Sequence, residues 1–268
     1  MRDPASTGAA LRTASAAPDF TRIRIEHVTI GYETQGLQLI VMEDVSFDIE
    51  RGEILCIIGP SGCGKSSILN ALSGFIAPMG GRIVVDGASG GLAALRRGVV
   101  FQEYALFPWQ TAQRNVEFGL KVRGLPPLQR KEIAGWALAQ VGLAEFADFY
   151  PHNLSGGMRQ RVAVARALAF DPDILLMDEP FAALDEEMRE DLQNLVVKLW
   201  RETGKTFVYV THSIQEAVFL ATRVIVLARK PGRVRAQVTI DLFHPRDRLG
   251  DEFHTKVKDL ARLVRHDN

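Results

Sequence analysis

The chain has 268 residues, with 32 basic and 32 acidic side chains and a formal net charge of zero. This length allows one large domain or two small ones with a substantial core. A nucleic-acid-binding protein normally carries a basic face or stripe, so the charge balance argues against a nucleic-acid partner. No apolar run reaches the roughly 18 residues of a membrane-spanning helix, which argues against a chain that crosses the membrane.

The N-terminal residues indicate whether a signal sequence is present, and the cysteines indicate the redox compartment. Residues 1–20 are rich in Ala, Ser and Thr and are predicted to form a disordered tail. No continuous apolar segment precedes residues 14–17, so a secretory signal is not expected. Cys56 and Cys63 flank a predicted tight loop and do not suggest a structural disulfide, which suits a reducing cytosol.

Strand patterns dominate residues 21–58. Val45, Phe47 and Ile49 alternate with polar residues, as in a half-buried strand. Two further short strands are predicted at 82–86 and 98–101.

A glycine-rich loop follows the apolar run 54–58 and precedes a helix-like run at 68–72. Its pattern, G-x-x-x-x-G-K-[ST] between a strand and a helix, is that of a phosphate-binding loop. Backbone N–H groups of such a loop point at one centre, and the helix N-terminus adds a favourable field. Lys65 can reach the β- and γ-phosphates, and the Ser66 hydroxyl can ligate Mg²⁺. The predicted nucleotide-binding residues are Gly59, Pro60, Ser61, Gly62, Cys63, Gly64, Lys65, Ser66 and Ser67.

The middle of the chain is predicted to hold a helical insert at about 103–160. Ile133, Ala137 and Val141 recur at helical spacing, and Gly142 ends that helix. Beyond the insert, the apolar runs 174–177 and 206–210 flank a helix-like stretch. Strand, helix and strand in this order are typical of a parallel α/β sheet.

Two carboxylates, Asp178 and Glu179, end the apolar run 174–177. In open α/β sheets, ligands bind at the carboxyl ends of the strands. Asp178 suits a water-mediated contact with Mg²⁺, and Glu179 suits polarisation of an attacking water. Alone, the pair could be an acidic strand end before a turn at Pro180.

A second glycine-containing turn, Ser155-Gly156-Gly157, precedes a predicted helix at 158–170. Free N–H groups, a hydroxyl and the helix dipole make it a candidate second anion site. Taken by itself, it could be only a capped helix start.

Residues 231–268 are predicted to form a strand-helix extension. A period-two strand at 234–240 precedes an amphipathic helix with apolar residues from Phe253 to Val264. Its basic residues favour a solvated face over a role at a membrane surface. They are Lys256, Lys258, Arg262 and Arg265.

In these motifs the chain resembles the nucleotide-binding subunit of an ABC transporter. The family signature L-S-G-G-Q is matched from Leu154 to Met158, where Met158 replaces the usual Gln. Further family elements follow the same order over about residues 22–230. Gln102 resembles the Q-loop glutamine, Asp185 the D-loop aspartate, His212 the switch histidine, and Tyr32 the aromatic residue that stacks on adenine.

The resemblance implies an α/β fold: a P-loop NTPase core with a mostly parallel sheet, an N-terminal antiparallel β portion and a helical insert. It implies an ATP-binding domain over residues 21–230 that hydrolyses ATP with Mg²⁺. Catalysis would involve Glu179, His212 and Gln102, with Ser66, Gln102 and Asp178 near the metal. In a homodimer, Ser155, Gly156, Gly157 and Asp185 would contact the ATP held by the other subunit.

The resemblance also implies partners and a location. A separate integral membrane permease would bind the dimer at the cytoplasmic face of the inner membrane, and an extracytoplasmic substrate-binding protein would act indirectly. The segment 106–109 is a candidate permease contact. This segment, the short insert, and residues 231–233 and 245–248 resemble importers of small anionic nutrients of the nitrate/sulfonate/taurine type. An ATPase of an export or lipid-transport system, or a soluble ABC-type ATPase, remains an alternative.

Overall fold

The computed structural model describes residues 20–34, 36–87, 91–229 and 231–265. The predicted tail of residues 1–20 lies outside these ranges except for Phe20, whose side chain is buried in the core. Cys56 and Cys63 are both buried as well.

A three-stranded antiparallel sheet forms the N-terminal part of the chain. It contains β1 (Arg22–Thr34), β2 (Leu37–Glu50) and β4 (Gly80–Asp86), in the order β2-β1-β4. The alternation of Val45, Phe47 and Ile49 is confirmed, because all three side chains are buried. The predicted antiparallel β portion is therefore present.

A six-stranded sheet forms the centre of the molecule, in the order β5-β6-β7-β3-β8-β9. All neighbouring strands are parallel except β8 and β9. The strands are β3 (Ile54–Ile58), β5 (Arg97–Val100), β6 (Ile174–Asp178), β7 (Thr206–Thr211), β8 (Arg223–Leu227) and β9 (Val234–Thr239). The mostly parallel sheet is confirmed. Every residue of β3 and β7 is buried, which explains why these strands are mostly apolar.

Seven α-helices accompany the sheets in the described ranges, and none of them is both long and apolar enough to span a bilayer. Two lie inside the predicted helical insert, where they pack on each other. The helices are α1 (Lys65–Ser73), α2 (Ala112–Val122), α3 (Pro127–Gln140), α4 (Gly156–Leu168), α5 (Glu186–Thr203), α6 (Ile214–Leu220) and α7 (Asp251–Arg265). Short 3₁₀ turns occur at Gly91–Ala94, Ala144–Phe146 and Pro151–Asn153.

Side-chain caps explain where α4, α5 and α6 begin, as Thr111 does for α2. Ser155 Oγ accepts a hydrogen bond from the Met158 N–H (3.2 Å) at the start of α4. Asp185 and Ser213 cap α5 and α6 in the same way. The predicted start of α4 at residue 158 was wrong, because the cap places Gly156 and Gly157 inside the first helical turn.

The C-terminal extension, residues 231–265, packs back on the core. Strand β9 pairs with β8, and α7 buries Phe253 and Leu260. The half-buried Lys256 pairs with Asp241 (2.5 Å), and the exposed Arg262 pairs with Asp259 (3.1 Å). Ion pairs of this kind are what the sequence predicts for a solvated face.

Candidate active site

The parallel strands bring the predicted functional segments to one edge of the central sheet. Neighbouring strands β5, β6, β7 and β3 all run in the same direction. The residues that follow them therefore meet at the carboxyl edge, where ligands bind in open α/β folds. These residues are Gln102 after β5, Asp178 and Glu179 at the end of β6, His212 after β7, and the phosphate loop after β3.

The phosphate loop is shaped by glycines in the left-handed region. Gly62 has φ 77° and Gly64 has φ 95°. A Cβ added at Gly64 would lie 2.2 Å from Met42 Cγ, so this position also requires the absence of a side chain. Helix α1 begins at the next residue, and its first N–H groups are directed towards the loop. The result is a cradle of backbone donors suited to phosphate oxygens.

The Lys65 ammonium lies inside this cradle. Its side chain is buried, and Nζ donates to the carbonyl oxygens of Gly59 (3.0 Å) and Pro60 (3.3 Å). Glu179 Oε1 is 3.9 Å from the same nitrogen. A buried cation that is held mainly by loop carbonyls can turn to phosphate oxygens without a large rearrangement.

Ser66 and Asp178 offer oxygen ligands for a divalent cation. Ser66 Oγ donates to Asp178 Oδ1 at 3.1 Å. Burial and the nearby Glu179 charge raise the pKa of Asp178, while the Ser66 hydrogen bond and Lys65 oppose this increase. No cluster of three or more His, Cys, Asp or Glu side chains forms a metal site within the described ranges. A hydroxyl and one carboxylate fit Mg²⁺, which takes its remaining ligands from water and substrate phosphates.

Glu179 and His212 form a hydrogen-bonded pair beside the loop. His212 Nδ1 lies 2.9 Å from Glu179 Oε2. The Glu179 backbone has φ 41°, and its N–H donates to the Val210 carbonyl at 3.0 Å. A non-glycine residue in this region is strained, and such strain concentrates at functional sites. The backbone of β7 thus helps to hold the carboxylate towards the loop.

Tyr32 stands at the edge of the cradle. Its ring is partly exposed, and its hydroxyl is 3.0 Å from Ser67 Oγ. The aromatic face is therefore available next to the nucleotide-binding loop, as stacking on a base requires.

The signature turn and Asp185 make their described contacts around the starts of α4 and α5 and not with the phosphate loop. Within the described residues, Gly156 lies against Tyr104 and Leu184, and Gly157 lies against Met188. Asp185 Oδ1 accepts from the Met188 N–H at 2.9 Å. Gly156, Gly157 and Asp185 thus lie together where the N-terminal turns of α4 and α5 meet.

The segment after Gln102 is tied to the signature helix rather than to the loop. The Gln102 side chain is exposed. Arg166 of α4 donates to the carbonyl oxygens of Tyr104 (3.1 Å) and Ala105 (2.5 Å). Arg159, also on α4, lies over the Tyr104 ring, 5.2 Å from its centroid.

Sequence reasoning missed two residues that support the site. Glu216, four residues after His212, is buried, although its position in a first helical turn is favourable for an exposed carboxylate. Gly232 approaches the phosphate loop so closely that an added Cβ would lie 1.9 Å from the Cys63 carbonyl oxygen. The Pro-Gly-Arg sequence at 231–233 indicates a turn, but nothing in it indicates the partner of that turn.

A match to a known family gives the class of protein. Residues 42–182, just over half of the chain, match the family described as ABC transporter. The chain therefore belongs to the ABC transporter family, as an ATP-binding subunit.

Curated relatives extend over most of the chain. An uncharacterized ABC transporter ATP-binding protein of Methanocaldococcus jannaschii is 44% identical over 91% of this chain and 91% of the relative. The taurine import ATP-binding protein TauB of Rhizobium johnstonii is 45% identical over 85% and 88%. Relatives of this kind support the resemblance to the taurine/nitrate/sulfonate group.

Solved structures agree on the fold. A dimeric ATP-binding cassette in a post-hydrolysis state, bound to ADP and Pi, is 34% identical with a TM-score of 0.70, covering 82% of this chain and all of that one. CbiO1 of Clostridium perfringens, part of the transporter complex cbiONQ, is 29% identical with a TM-score of 0.73, covering 83% and 90%. The fold is thus that of an ABC-type P-loop NTPase, and the chain is an ATPase.

Proposed function

We propose that this chain is the ATP-hydrolysing subunit of a bacterial ABC importer for small anionic nutrients of the nitrate, sulfonate or taurine kind. The observation that carries the catalytic part is the convergence of Lys65, Glu179 and His212 beside the phosphate loop. Similarity to taurine import ATP-binding proteins over most of the chain supports the transport part.

Within one subunit, each residue near the loop has a proposed role. Lys65 binds the β- and γ-phosphates, and Glu179 accepts a proton from the attacking water. His212, held at Glu179, would contact the γ-phosphate, and Tyr32 would stack on adenine. Ser66, Asp178 and Gln102 would hold Mg²⁺, which when bound would partly neutralise the phosphate charge.

Completion of the site needs a second copy of the chain. Ser155, Gly156, Gly157 and Asp185 lie away from the phosphate loop of their own subunit, on helix N-termini that attract anions. The related cassette bound to ADP and Pi is dimeric. We therefore propose a homodimer in which this surface covers the ATP held by the loop of the partner copy.

The segment 106–109 is the proposed contact with a separate permease. Trp109 is 70% exposed, and Phe118 is also exposed beside it. The segment is rigid, because the buried Asn115 amide accepts from the Phe107 N–H (2.8 Å) and donates to the Phe107 carbonyl (3.2 Å). A fixed, exposed aromatic surface is typical of a protein interface. Membrane attachment through this surface would place the chain at the cytoplasmic face, and a substrate-binding protein would act from the other side.

Replacing Glu179 by Gln tests the catalytic proposal. We expect steady-state ATP turnover to fall by about 10²–10⁴-fold, because a general base is lost. ATP affinity, measured by calorimetry, should be retained or increased. The matched control is Glu187→Gln, which alters an exposed acid in the first turn of α5. Near-normal turnover in Glu179→Gln would contradict the assignment.

Membrane capture tests the transport proposal. The tagged Glu179→Gln chain, incubated with native membranes and ATP, should retain a multi-span permease in stoichiometric amount. Trp109→Ala in the same chain should reduce this recovery at least about 5-fold, since interface aromatics often contribute more than 1 kcal/mol. Phe243→Ala, which removes an exposed aromatic from the C-terminal extension, is the control and should bind normally.

The substrate class requires a separate measurement. A strain that lacks the gene should lose growth on taurine, alkanesulfonates or nitrate as the sole sulfur or nitrogen source, and the intact gene should restore it. Normal growth together with a defect in export or lipid distribution would favour the export alternative.

A further inference from the structure

The helix that follows His212 carries a buried carboxylate on which several elements converge. Glu216 lies in the first turn of α6 and is buried. A buried carboxylate is costly unless its oxygens accept hydrogen bonds, so its partners define its role. Glu216 accepts from Thr211 Oγ1 (2.5 Å), Tyr209 OH (3.1 Å) and Gln193 Nε2 (3.2 Å), with Arg189 Nε at 3.7 Å.

Both neighbours of His212 in the chain are fixed by this carboxylate. Thr211 donates its hydroxyl to Glu216, and the same hydroxyl oxygen accepts from the Ser213 N–H at 3.0 Å. Ser213 Oγ in turn accepts from the Glu216 N–H at 3.3 Å. The backbone on each side of His212 is therefore connected to Glu216 through one hydrogen bond or two.

The His212 side chain has little packing of its own. It is 63% exposed, and its described polar contact is with Glu179. Apart from the Glu179 hydrogen bond, little packing orients this exposed imidazole, so its position depends on the backbone that carries it. That backbone is held by Thr211 and Ser213.

We propose that Glu216 is a positioning residue for His212, which it holds at Glu179 by fixing Thr211 and the start of α6. This inference rests on the proposed catalytic role of His212. Glu216 does not reach the phosphate loop in the described contacts, and its hydrogen bond to Thr211 is the short route to the site, so we expect its effect on turnover to pass through His212. Loss of Glu216 should then lower kcat and leave ATP binding unchanged, because Lys65 and the loop are not altered.

A double-mutant cycle tests the proposal. Glu216→Gln keeps the size of the side chain, and Thr211→Val replaces the connecting hydroxyl by a methyl group of similar size. Each change should lower kcat by about 10- to 100-fold at unchanged KM and unchanged ATP affinity, as misplacement of a reacting group does. In a His212→Ala chain, the same changes should lower kcat by less than about 2-fold, since the group that they position is absent. Glu252→Gln, an exposed acid in the first turn of α7, is the matched control.

The outcomes separate this inference from the proposed function. If His212→Ala lowers kcat but Glu216→Gln causes the same loss in both backgrounds, Glu216 acts on the fold alone and the inference is overturned. If His212→Ala leaves kcat unchanged, the role of His212 is wrong and the inference fails with it. Denaturation midpoints show whether Glu216→Gln is folded, and Thr211→Val provides the same test if it is not.

Discussion

The charges around Lys65 set the conditions for nucleotide binding. Asp178 and Glu179 are adjacent carboxylates at the end of β6, and Glu179 lies 3.9 Å from the Lys65 ammonium. A triphosphate adds further negative charge to this edge, and like charges at short range repel. Lys65, the loop N–H groups and a divalent cation offset that repulsion. Replacement of Glu179 by a neutral residue removes one repulsive charge, so retained or tighter ATP binding is expected.

A second residue-scale feature predicts a pH effect on stability. His244 packs between Trp200 and Phe219, with ring centroids 5.5 Å and 6.5 Å away. Burial and the nearby Arg246 charge lower the pKa of His244 from 6.5 to about 4. The folded state therefore favours the neutral ring. Its contribution is present in full above pH 6.5 and is lost as the pH falls towards 4.

Denaturant unfolding at pH 7.5 and pH 5 measures this contribution. The free energy of unfolding should decrease on acidification by about 1 kcal/mol more in the wild type than in His244→Gln, a value that allows for solvent access to the ring. His254→Gln, which alters an exposed histidine on α7, should show the wild-type pH dependence. Equal pH dependence in the wild type and His244→Gln would contradict the burial argument.

Residues within recognisable motifs could be located from the sequence, whereas the contacts that hold them in position could not. The glycine loop, Asp178, Glu179 and His212 follow predicted strands, and parallel strands place them at one edge. The Glu179–His212 hydrogen bond is a three-dimensional contact that no spacing indicates. Glu216 was missed because a carboxylate in a first helical turn is favourable even when exposed.

At the scale of elements, the turn at 231–233 supports the phosphate loop from behind. The Gly232 N–H donates to the Val41 carbonyl (2.8 Å), and the Gly232 carbonyl accepts from the Glu43 N–H (3.0 Å). Arg233 pairs with Glu43 beside it. Met42, which lies between Val41 and Glu43 in β2, packs against Gly64 of the loop. Strand β2 and the turn thus form one layer beneath the loop.

Gly232→Ala tests this layer. The added Cβ would lie 1.9 Å from the Cys63 carbonyl oxygen, so the loop or the turn must move. We expect a destabilisation of about 1–3 kcal/mol, as for overpacking, together with weaker ATP binding by calorimetry. Gly135→Ala is the control, because its Cβ meets nothing within 4 Å. That variant should be neutral or slightly stabilising, since Ala is favoured over Gly in a helix.

Element types could be predicted from periodicity better than their ends or neighbours. Alternation identified β2 and β9, and apolar runs identified β3, β6 and β7. The first residue of a helix depends on its cap. Because Ser155 caps α4, this helix begins two residues earlier in the chain than predicted. Strand order depends on long-range pairing, so the insertion of β3 between β7 and β8 has no local signal.

For the whole molecule, the separation of the signature turn from the phosphate loop predicts a shared active site. A chain with Lys65→Ala lacks the loop cation, and a chain with Ser155→Arg has a blocked signature turn. Each should have low ATPase activity alone. In a two-fold symmetric dimer, mixing the two chains produces heterodimers with one intact site.

Mixing should therefore restore about a quarter of wild-type activity, because half of the dimers are mixed and each has one of two sites. The measurement is ATP turnover at equal amounts of both chains, over a range of mixing ratios. Lys65→Ala mixed with Glu179→Gln, both of which damage the loop side of the site, is the control and should show no recovery. Absence of recovery in the first mixture would mean that each subunit completes its own site.

The hydrogen bonds from Arg166 to the Tyr104 and Ala105 carbonyls have a mechanical consequence. They join the segment that carries Gln102 and Trp109 to the helix that carries the signature turn. A flexible loop at this position would bend locally when a bound protein displaced it, and α4 would not move. Because this segment is hydrogen-bonded to Arg166, we expect a displacement at Trp109 to be passed to α4, which begins after Ser155. The rigidity of these hydrogen bonds would then determine how much of a movement at the signature turn reaches a protein bound at Trp109.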